Sequence, residues 1–294
     1  MGYLFLSVAL LCGAVKGFCG KKMSGYAKDL VSASLINLVR MVACVVLSFL
    51  MVVLSGNAAG LKASWQLIAI SALSGISTAA FIITWLLCVR KSAYMMLDVF
   101  LMLGTLVPII SGRFLFDEPI GLKRAAGFAV LIVAVLIMCS YNNSIKTKFT
   151  PASLALLVLC GLSNGVTELS QKIATRTIDG LSVEVFNLYT YIFAALTLLS
   201  TLAFVPKKEG VAVEKLTARP LVYILIMAAA LAANSYFKTQ AAFYLLSAEL
   251  YPISQGMSLI LSTFMATVFF GEKLKIKAVV GIALAFAALM IINL

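Results

Sequence analysis

The chain has 294 residues, of which 63% are apolar and only 12% carry a charged side chain. A mean hydropathy of +1.08 excludes a soluble domain of this length, because such a domain needs far more polar surface. The net charge of +12 does not indicate a nucleic-acid partner, since Lys and Arg lie mostly in short loops, where basic side chains meet lipid headgroups. We therefore expect an integral, multi-pass protein of the lipid bilayer.

Apolar stretches recur along the chain with lengths of roughly 18–24 residues, which is what a helix needs to cross a bilayer. We number them as predicted spans 1 to 10, and they cover residues 3–20, 33–54, 65–88, 93–115, 122–140, 152–173, 182–205, 220–243, 248–270 and 276–293. The predicted fold class is all-α, with ten transmembrane helices.

Spans 1 and 2 contain the polar residues Lys16, Asn37 and Arg40. A charged side chain inside a bilayer costs at least a few kcal/mol, so it usually faces a cavity or a partner. We assign these three residues to a candidate substrate cavity. Two alternatives stay open, because Lys16 can extend toward the membrane surface and Asn37 can simply hydrogen-bond to a neighbouring helix.

Spans 3 to 5 offer fewer candidates. Trp85 lies close to the basic pair Arg90 and Lys91, which is typical of an anchor at the membrane interface. Pro108 predicts a kink in span 4, because proline lacks the amide that a helix needs. Glu118 precedes span 5, and a carboxylate favours the positive N-terminal end of a helix, so we predict a structural role for it.

Span 6 contains a polar stripe made by Asn164, Glu168 and Lys172 at helical spacing. Glu168 and Lys172 are four residues apart, in the order that favours an ion pair within one helix. We assign Asn164 and Glu168 to the cavity, and Glu168 is a candidate for binding a coupling proton.

Spans 7 to 9 complete the set of candidate cavity residues. The members here are Asn187, Tyr191, Asn234, Tyr251 and Gln255. The alternative is that they only join helices, with each hydrogen bond worth roughly 0.6–2 kcal/mol. Lys238 lies near a helix end and is predicted to extend to the membrane surface. Pro252 is predicted either to begin span 9 or to kink it.

One phrase occurs twice in the chain. "LFDEPIGLKRAAGFAVLIVAVLI" aligns with "FFGEKLKIKAVVGIALAFAALM", so that Glu118 matches Glu272, and "LCGAVKG" at 11–17 matches "LCGLSNG" at 159–165. The predicted halves are residues 1–145 and 150–294, joined by "YNNSIKTKFTP". Because five spans are an odd number, the second half must enter the bilayer from the opposite face. Inverted repeats of this kind are typical of secondary transporters.

On these residues the chain resembles the drug/metabolite transporter superfamily with two EamA-type halves. Its C-terminal stretch is also similar to the last helices of small multidrug resistance proteins. The resemblance implies a ten-helix carrier of a small organic solute with a cavity between the halves. One departure is that the membrane glutamate of small multidrug resistance proteins aligns here with Ala14 and Leu162, which argues against cation–proton antiport of that type.

The loop charges predict an orientation. Loops after odd-numbered spans contain Lys21, Lys22, Lys28, Arg90, Lys91, Lys146, Lys148, Lys207, Lys208, Lys215, Arg219, Lys273, Lys275 and Lys277, against Lys62, Lys123, Arg124 and Arg176 elsewhere. By the positive-inside rule the first set is cytoplasmic and both termini are outside. The resemblance implies cytoplasmic termini instead, and we follow the charge count because it is read from this chain.

Chemical motifs are few. There is no histidine, the six cysteines form no CxxC pair, and no Walker A pattern is present. We therefore predict no cofactor, no metal and no enzymatic activity. The predicted function is secondary transport of a small organic metabolite, and the mixed charges favour an amino-acid-like zwitterion. The alternatives are a lipid-group enzyme and an assembly or sensor protein.

Several properties stay open at this point. The sequence does not indicate whether the carrier imports or exports its solute, or whether it is a monomer or a homodimer. A proton is a candidate coupling ion. The resemblance points to a bacterial cytoplasmic membrane.

Overall fold

The computed structural model describes residues 1–91, 94–118, 121–143, 150–204, 218–272 and 275–293. Most of the segment that joins the predicted halves, and six of the loop cations used to predict orientation, lie outside these residues. Apart from a short 3₁₀ turn, Asn57–Leu61, the described elements are α1 Gly2–Met23, α2 Leu30–Leu54, α3 Trp65–Lys91, α4 Tyr94–Gly104, α5 Leu106–Phe116, α6 Leu122–Asn143, α7 Pro151–Thr177, α8 Val183–Phe204, α9 Ala218–Tyr244, α10 Ser247–Val268 and α11 Ile276–Asn293.

Each predicted span coincides with helix, and span 4 is divided between α4 and α5. Within the described residues, seven segments are long and apolar enough to cross a membrane, one of them being Leu97–Phe116. Helices α6 and α11 provide shorter apolar segments, and α10 is not among the seven. Helix α10 contains Glu249 and Gln255, which lower its hydropathy. The full count of ten membrane-spanning helices therefore stays a prediction.

Local sequence explains where two of the helices begin. The Asp29 carboxylate accepts a hydrogen bond from the Ser32 amide at 2.8 Å, and the Ser32 hydroxyl oxygen accepts one from the Asp29 amide at 3.0 Å. This reciprocal cap satisfies two amides at the start of α2 that the helix itself leaves unpaired. Helix α7 begins with Thr150 as its cap and Pro151 at its first position, where a missing amide costs nothing.

The interruption predicted from Pro108 is present between α4 and α5. Pro108 has no amide to donate to the carbonyl oxygen of Gly104, so α4 ends at Gly104. The Thr105 hydroxyl donates to the Met102 carbonyl oxygen at 2.7 Å and thereby satisfies one acceptor at this helix end. Pro252 lies inside α10, six residues into the helix, rather than at its start.

Three glycines let the backbones of α4 and α7 touch. A Cβ atom added to Gly165 would overlap the carbonyl oxygen of Gly104, and one added to Gly104 would overlap the carbonyl oxygen of Gly161. The obstacle is main chain in both cases, so no side-chain rotation can relieve it. Small residues at such a crossing are the usual means of close helix packing in membranes.

We expect Gly165→Ala to lower the free energy of unfolding by about 1–3 kcal/mol, because the added methyl group forces α4 and α7 apart. The measurement is thermal unfolding of the purified protein in detergent. Gly25→Ala is the matched control, since a Cβ atom there meets no other atom within 4 Å. Equal melting temperatures for the two variants would contradict this account of the crossing.

The helix directions follow from contacts at the two ends of α1. Gly2 packs against Leu245 at the end of α9, whereas Gly20 packs against Trp85 and Met227. Helices α1 and α9 are therefore antiparallel. We call the two ends of the molecule the Gly2 end and the Lys21 end. Helix α7 runs toward the Gly2 end, because Lys172 near its C-terminus donates to the Leu245 carbonyl oxygen, so α1 and α7 run in opposite directions.

Candidate functional site

A polar cavity lies in the middle of the bundle, between α1, α3, α4, α7, α8, α9 and α10. It offers about 120 Å³ to the centres of water-sized molecules. Because one water needs roughly 10–15 Å³ by this measure, the space suits a small solute or a cluster of waters. Polar side chains lining an interior cavity of an apolar bundle indicate a solvated cavity, since contact with lipid would leave them without hydrogen-bond partners.

One wall of the cavity is organised around Glu168 of α7. Its Oε1 atom accepts hydrogen bonds from Lys238 Nζ at 2.5 Å and from Gln255 Nε2 at 2.9 Å. The Tyr251 hydroxyl donates to the backbone carbonyl of Glu168 at 2.6 Å. Among the described residues no group donates to the second carboxylate oxygen, Oε2. We call these four residues the Glu168 network, and it leaves one carboxylate oxygen without a donor among the described residues.

A second charged pair, Lys16 and Asp98, lines the cavity from α1 and α4. None of the described residues forms a hydrogen bond or an ion pair with the Lys16 ammonium. Its charge is attracted by Asp98 and Glu168 at longer range. Asp98 is only 6% exposed, and its Oδ2 atom has no hydrogen-bond partner in the described part of the chain. The Lys16 ammonium is therefore available to a ligand.

Uncharged groups complete the lining. The side-chain amide nitrogen of Asn164 and the hydroxyl of Thr190 are both buried beside the cavity, and neither has a partner among the described residues. Gln171 donates to the Ser235 hydroxyl at 3.3 Å, and Ser235 donates to Asn187 Oδ1 at 2.9 Å. The cavity thus combines fixed hydrogen-bonding chains with free polar atoms that a solute can use.

The residues predicted from sequence fall into two groups. Those that line the cavity are Lys16, Asn164, Glu168, Tyr191, Asn234 and Gln255. Asn234 also donates to the Ala9 carbonyl oxygen at 2.6 Å, which joins α9 to α1. Tyr191 donates to the Leu231 carbonyl oxygen at 3.5 Å. That any of them binds a solute stays a prediction.

The other four predicted residues do not reach the cavity wall. Asn37 donates to the carbonyl oxygens of Ala33 and Ile82, and so joins α2 to α3. Asn187 and Tyr251 hold the cavity-lining Ser235 and Glu168 in position. Arg40 is 3% exposed and donates to Asn37 Oδ1 at 3.4 Å. The predicted alternative of helix-joining bonds describes Asn37 better than a cavity role.

Three details differ from the sequence-based expectation. Lys238 does not extend to the membrane surface, because the Glu168 carboxylate is within reach inside the bundle. Trp85 lines the cavity and packs against Gly20 instead of anchoring the interface. Lys172 does not pair with Glu168, since carbonyl oxygens at the end of α9 bind its ammonium in the opposite direction.

Asp98 was not identified from sequence. It lies in the apolar run "YMMLDVFLML" with no other charge at helical spacing. The available signal was the lone carboxylate itself, because an ionisable residue inside a predicted span is a functional candidate by default. The serine and threonine residues of the cavity gave no such signal, since they are common at helix contacts.

An ion-pair cluster lies at the Gly2 end of the molecule. The Lys172 ammonium, which is fully buried, donates to the Leu245 carbonyl oxygen at 2.6 Å and lies 3.7 Å from Glu118 Oε1. Glu118 in turn accepts a hydrogen bond from the Ser247 amide at 3.1 Å. Glu118 therefore caps the N-terminus of α10. We call this group the Lys172 cluster.

A similar cluster lies at the Lys21 end. The Lys21 ammonium is 3.1 Å from Glu272 Oε1 and donates to the Val89 carbonyl oxygen at 3.3 Å. In both clusters a lysine meets the glutamate of the repeated phrase, and that glutamate comes from the other predicted half. The two clusters are about 28 Å apart along α1, given the rise of a helix. We call this group the Lys21 cluster.

Comparison with known proteins gives a family and a fold. Residues 151–294 match the EamA-like transporter family. The fold is similar to that of a protein of known crystal structure, with a TM-score of 0.68 and 12% sequence identity over 99% of this chain and 96% of the other. No curated protein matches this chain. The family match and the apolar helices indicate an integral, multi-pass membrane protein.

Proposed function

We propose that this chain, whose residues 151–294 match the EamA-like transporter family, is a secondary carrier of a small organic metabolite. It works by alternating access of two inverted five-helix halves to one central site. The observation on which this proposal rests is the polar cavity, which has charges of both signs and is lined by helices from both predicted halves.

Two features support the inverted relation of the halves. Helices α1 and α7 begin the predicted halves and run in opposite directions. The Lys172 and Lys21 clusters have the same composition but lie at opposite ends of α1. A two-fold axis in the membrane plane would relate them in this way, as it does in other transporters built from inverted repeats.

The same clusters support alternating access. Each one joins a lysine from one half to a glutamate from the other, so separating the halves at one end breaks that cluster alone. The cavity lies between them. Opening the Lys172 cluster connects the cavity to one face of the membrane, and opening the Lys21 cluster connects it to the other. In the described conformation both clusters are formed.

The charged groups suit a zwitterionic solute such as an amino acid. Lys16 has no partner among the described residues and can bind a carboxylate. The Oε2 atom of Glu168, which also lacks a partner in the described part of the chain, can bind an ammonium group, while Oε1 stays bound to Lys238 and Gln255. The side-chain amide of Asn164 lines the same cavity and adds a donor. Charge-assisted hydrogen bonds of this kind are among the stronger ones in proteins.

The direct test is exchange of solute by the purified protein in proteoliposomes. Vesicles loaded with unlabelled amino acids are expected to take up labelled amino acids by counterflow. Absence of counterflow for amino acids, nucleosides, sugar phosphates and organic cations alike would overturn the carrier proposal. It would favour a membrane-embedded enzyme or a sensor.

Lys16→Gln is expected to weaken the apparent affinity for an amino-acid solute by about tenfold or more, because a hydrogen bond to a charged group contributes roughly 1.5–3 kcal/mol. The measurement is the concentration dependence of counterflow. Lys22→Gln is the matched control, because Lys22 lies near the end of the same helix and does not line the cavity. Equal affinities for the two variants would exclude Lys16 from the solute site.

A further inference from the structure

Asp98 is a buried carboxyl group that has no ion-pair partner among the described residues. It lies near the start of the membrane-spanning segment Leu97–Phe116 and lines the cavity. Only 6% of the residue is exposed, and Oδ2 has no hydrogen-bond partner among the described residues. A carboxylate in such a place is costly to keep ionised unless a cation or a set of donors compensates it.

The surroundings of Asp98 supply one distant cation and no strong donor. Lys16 from α1 attracts the carboxyl group without forming an ion pair with it. The other titratable or polar groups that face it are Cys160 from α7 with Cys88 of α3 beside it, Ser262 from α10 and Glu272 from the α10–α11 loop. Helix α6 contributes apolar residues here, among them Leu131 and Val135.

Ser262 can form a hydrogen bond with either protonation state of Asp98. While its hydroxyl donates to the Leu259 carbonyl oxygen at 3.0 Å, its oxygen can accept a hydrogen bond from a protonated Asp98. If the hydroxyl turns toward Asp98, it donates to the ionised carboxylate instead. Ser262 therefore allows Asp98 to gain and lose a proton.

The sequence suggested Glu168 for proton binding, but this carboxylate already has an ion-pair partner. Lys238 and Gln255 both donate to its Oε1 atom, and the Lys238 ammonium neutralises its charge. A proton on Glu168 would weaken that ion pair. Of the two cavity carboxyl groups, Asp98 is therefore the one that can gain and lose a proton without breaking an existing bond.

We propose that Asp98 is the proton-binding residue that couples this carrier to a proton gradient, an inference that rests on the proposed carrier function. Lys16 links proton binding to solute binding, because its ammonium group attracts both an ionised Asp98 and the carboxylate of a solute. Protonation of Asp98 removes the negative charge of that side chain, so the Lys16 ammonium then interacts with the solute carboxylate alone. Proton and solute therefore bind with positive coupling, and by linkage each raises the affinity of the other.

Positive coupling predicts movement of proton and solute in the same direction. When the Lys172 cluster is formed and the Lys21 cluster is open, Asp98 exchanges its proton with water at the Lys21 end, where Glu272 is the next acidic group. When the Lys21 cluster is formed and the Lys172 cluster is open, Asp98 exchanges its proton through the cavity with water at the Gly2 end. The proton enters from water on one side and leaves to water on the other, so no further reactant is required.

The test compares two assays on proteoliposomes, with a mixture of tritium-labelled L-amino acids as the probe. Counterflow at equal pH measures exchange alone, and uptake driven by an acidic exterior measures coupling. Asp98→Asn is expected to keep counterflow within a few-fold of the unsubstituted protein and to lose uphill accumulation altogether. Asp98→Glu is expected to regain part of the accumulation. Asp117→Asn, at an exposed position outside the cavity, is the matched control.

The outcomes separate the two proposals. Absence of counterflow by the unsubstituted protein for amino acids, nucleosides, sugar phosphates and organic cations alike would overturn the carrier function and this inference with it. Accumulation by Asp98→Asn equal to that of the control would overturn the inference alone. Asp98→Asn with an unchanged melting temperature but an equal loss of counterflow and accumulation would also overturn the inference, because Asp98 would then serve solute binding. Accumulation driven by a sodium gradient at equal pH would overturn the inference as well, because sodium would then be the coupling ion.

Discussion

Lys172→Met is expected to lower the free energy of unfolding by about 3–5 kcal/mol, because it leaves a buried glutamate without its counterion. The side chain of Lys172 is fully buried and that of Glu118 is 7% exposed. Thermal unfolding in detergent measures the effect. The variant also leaves the carbonyl oxygens of Ala242 and Leu245 without the donor that binds them.

The double variant Lys172→Met with Glu118→Gln provides the control. It places no uncompensated charge in the interior, so we expect it to regain much of the stability that Lys172→Met loses. Lys21→Met is the corresponding change at the other end. Its effect should be smaller, because the side chains of Lys21 and Glu272 are 13% and 14% exposed and water screens the charge that is left. Additive losses in the double variant would contradict a direct Lys172–Glu118 interaction.

Glu168→Gln is expected to reduce counterflow of an amino-acid solute by about 30-fold or more. Removing one member of a buried, hydrogen-bonded charge pair costs roughly 2–5 kcal/mol, and here the change also removes the proposed ammonium site. Lys238 would remain in the cavity without its anion and would repel the cationic end of the solute. Initial rates of labelled counterflow in proteoliposomes measure the effect.

Two further variants make the Glu168 prediction specific. Glu184→Gln applies the same substitution to a glutamate that lies outside the cavity, and it should transport normally. Exchange of the two charges by Glu168→Lys with Lys238→Glu should restore the melting temperature but not transport, because the ion pair returns while the solute site does not. Normal transport by Glu168→Gln would exclude the proposed ammonium site.

The positions of the helices could be predicted from sequence because length and hydropathy are local properties. The helix break before Pro108 could also be predicted, since proline has no amide to donate to the carbonyl oxygen four residues earlier. The repeated phrase singled out Glu118 and Glu272, and each of them lies within ion-pair distance of a lysine. Its spacing did not reveal that each binds a lysine of the other half, because that contact depends on how the halves pack.

The candidate site could be predicted only in part. Lys16, Asn164 and Glu168 were found because a polar stripe on an apolar helix is visible in the sequence. Lys238 was assigned to the membrane surface because the sequence shows that it lies near a helix end. The sequence does not show that Glu168, on another helix, is its partner. Asp98 was missed because it has no charged neighbour three or four residues away, and its surroundings come from several other elements of the fold.

The Glu168–Lys172 pair shows the limit of spacing arguments. The two residues are four apart, and that spacing alone favours an ion pair worth only a few tenths of a kcal/mol. In the folded chain each finds a stronger partner on a different helix, Lys238 for Glu168 and Glu118 for Lys172. Contacts between helices therefore outweigh a weak contact along one helix.

Alternating access to the cavity is the central claim, and thiol labelling tests it most directly. Ser258 lines the cavity and can be replaced by cysteine in a background that lacks the six native cysteines. We expect a membrane-impermeant thiol reagent to label this cysteine when added from either face of the membrane, and we expect transported solute to slow labelling from both faces. Labelling from one face only, under every condition of solute and pH, would contradict the account.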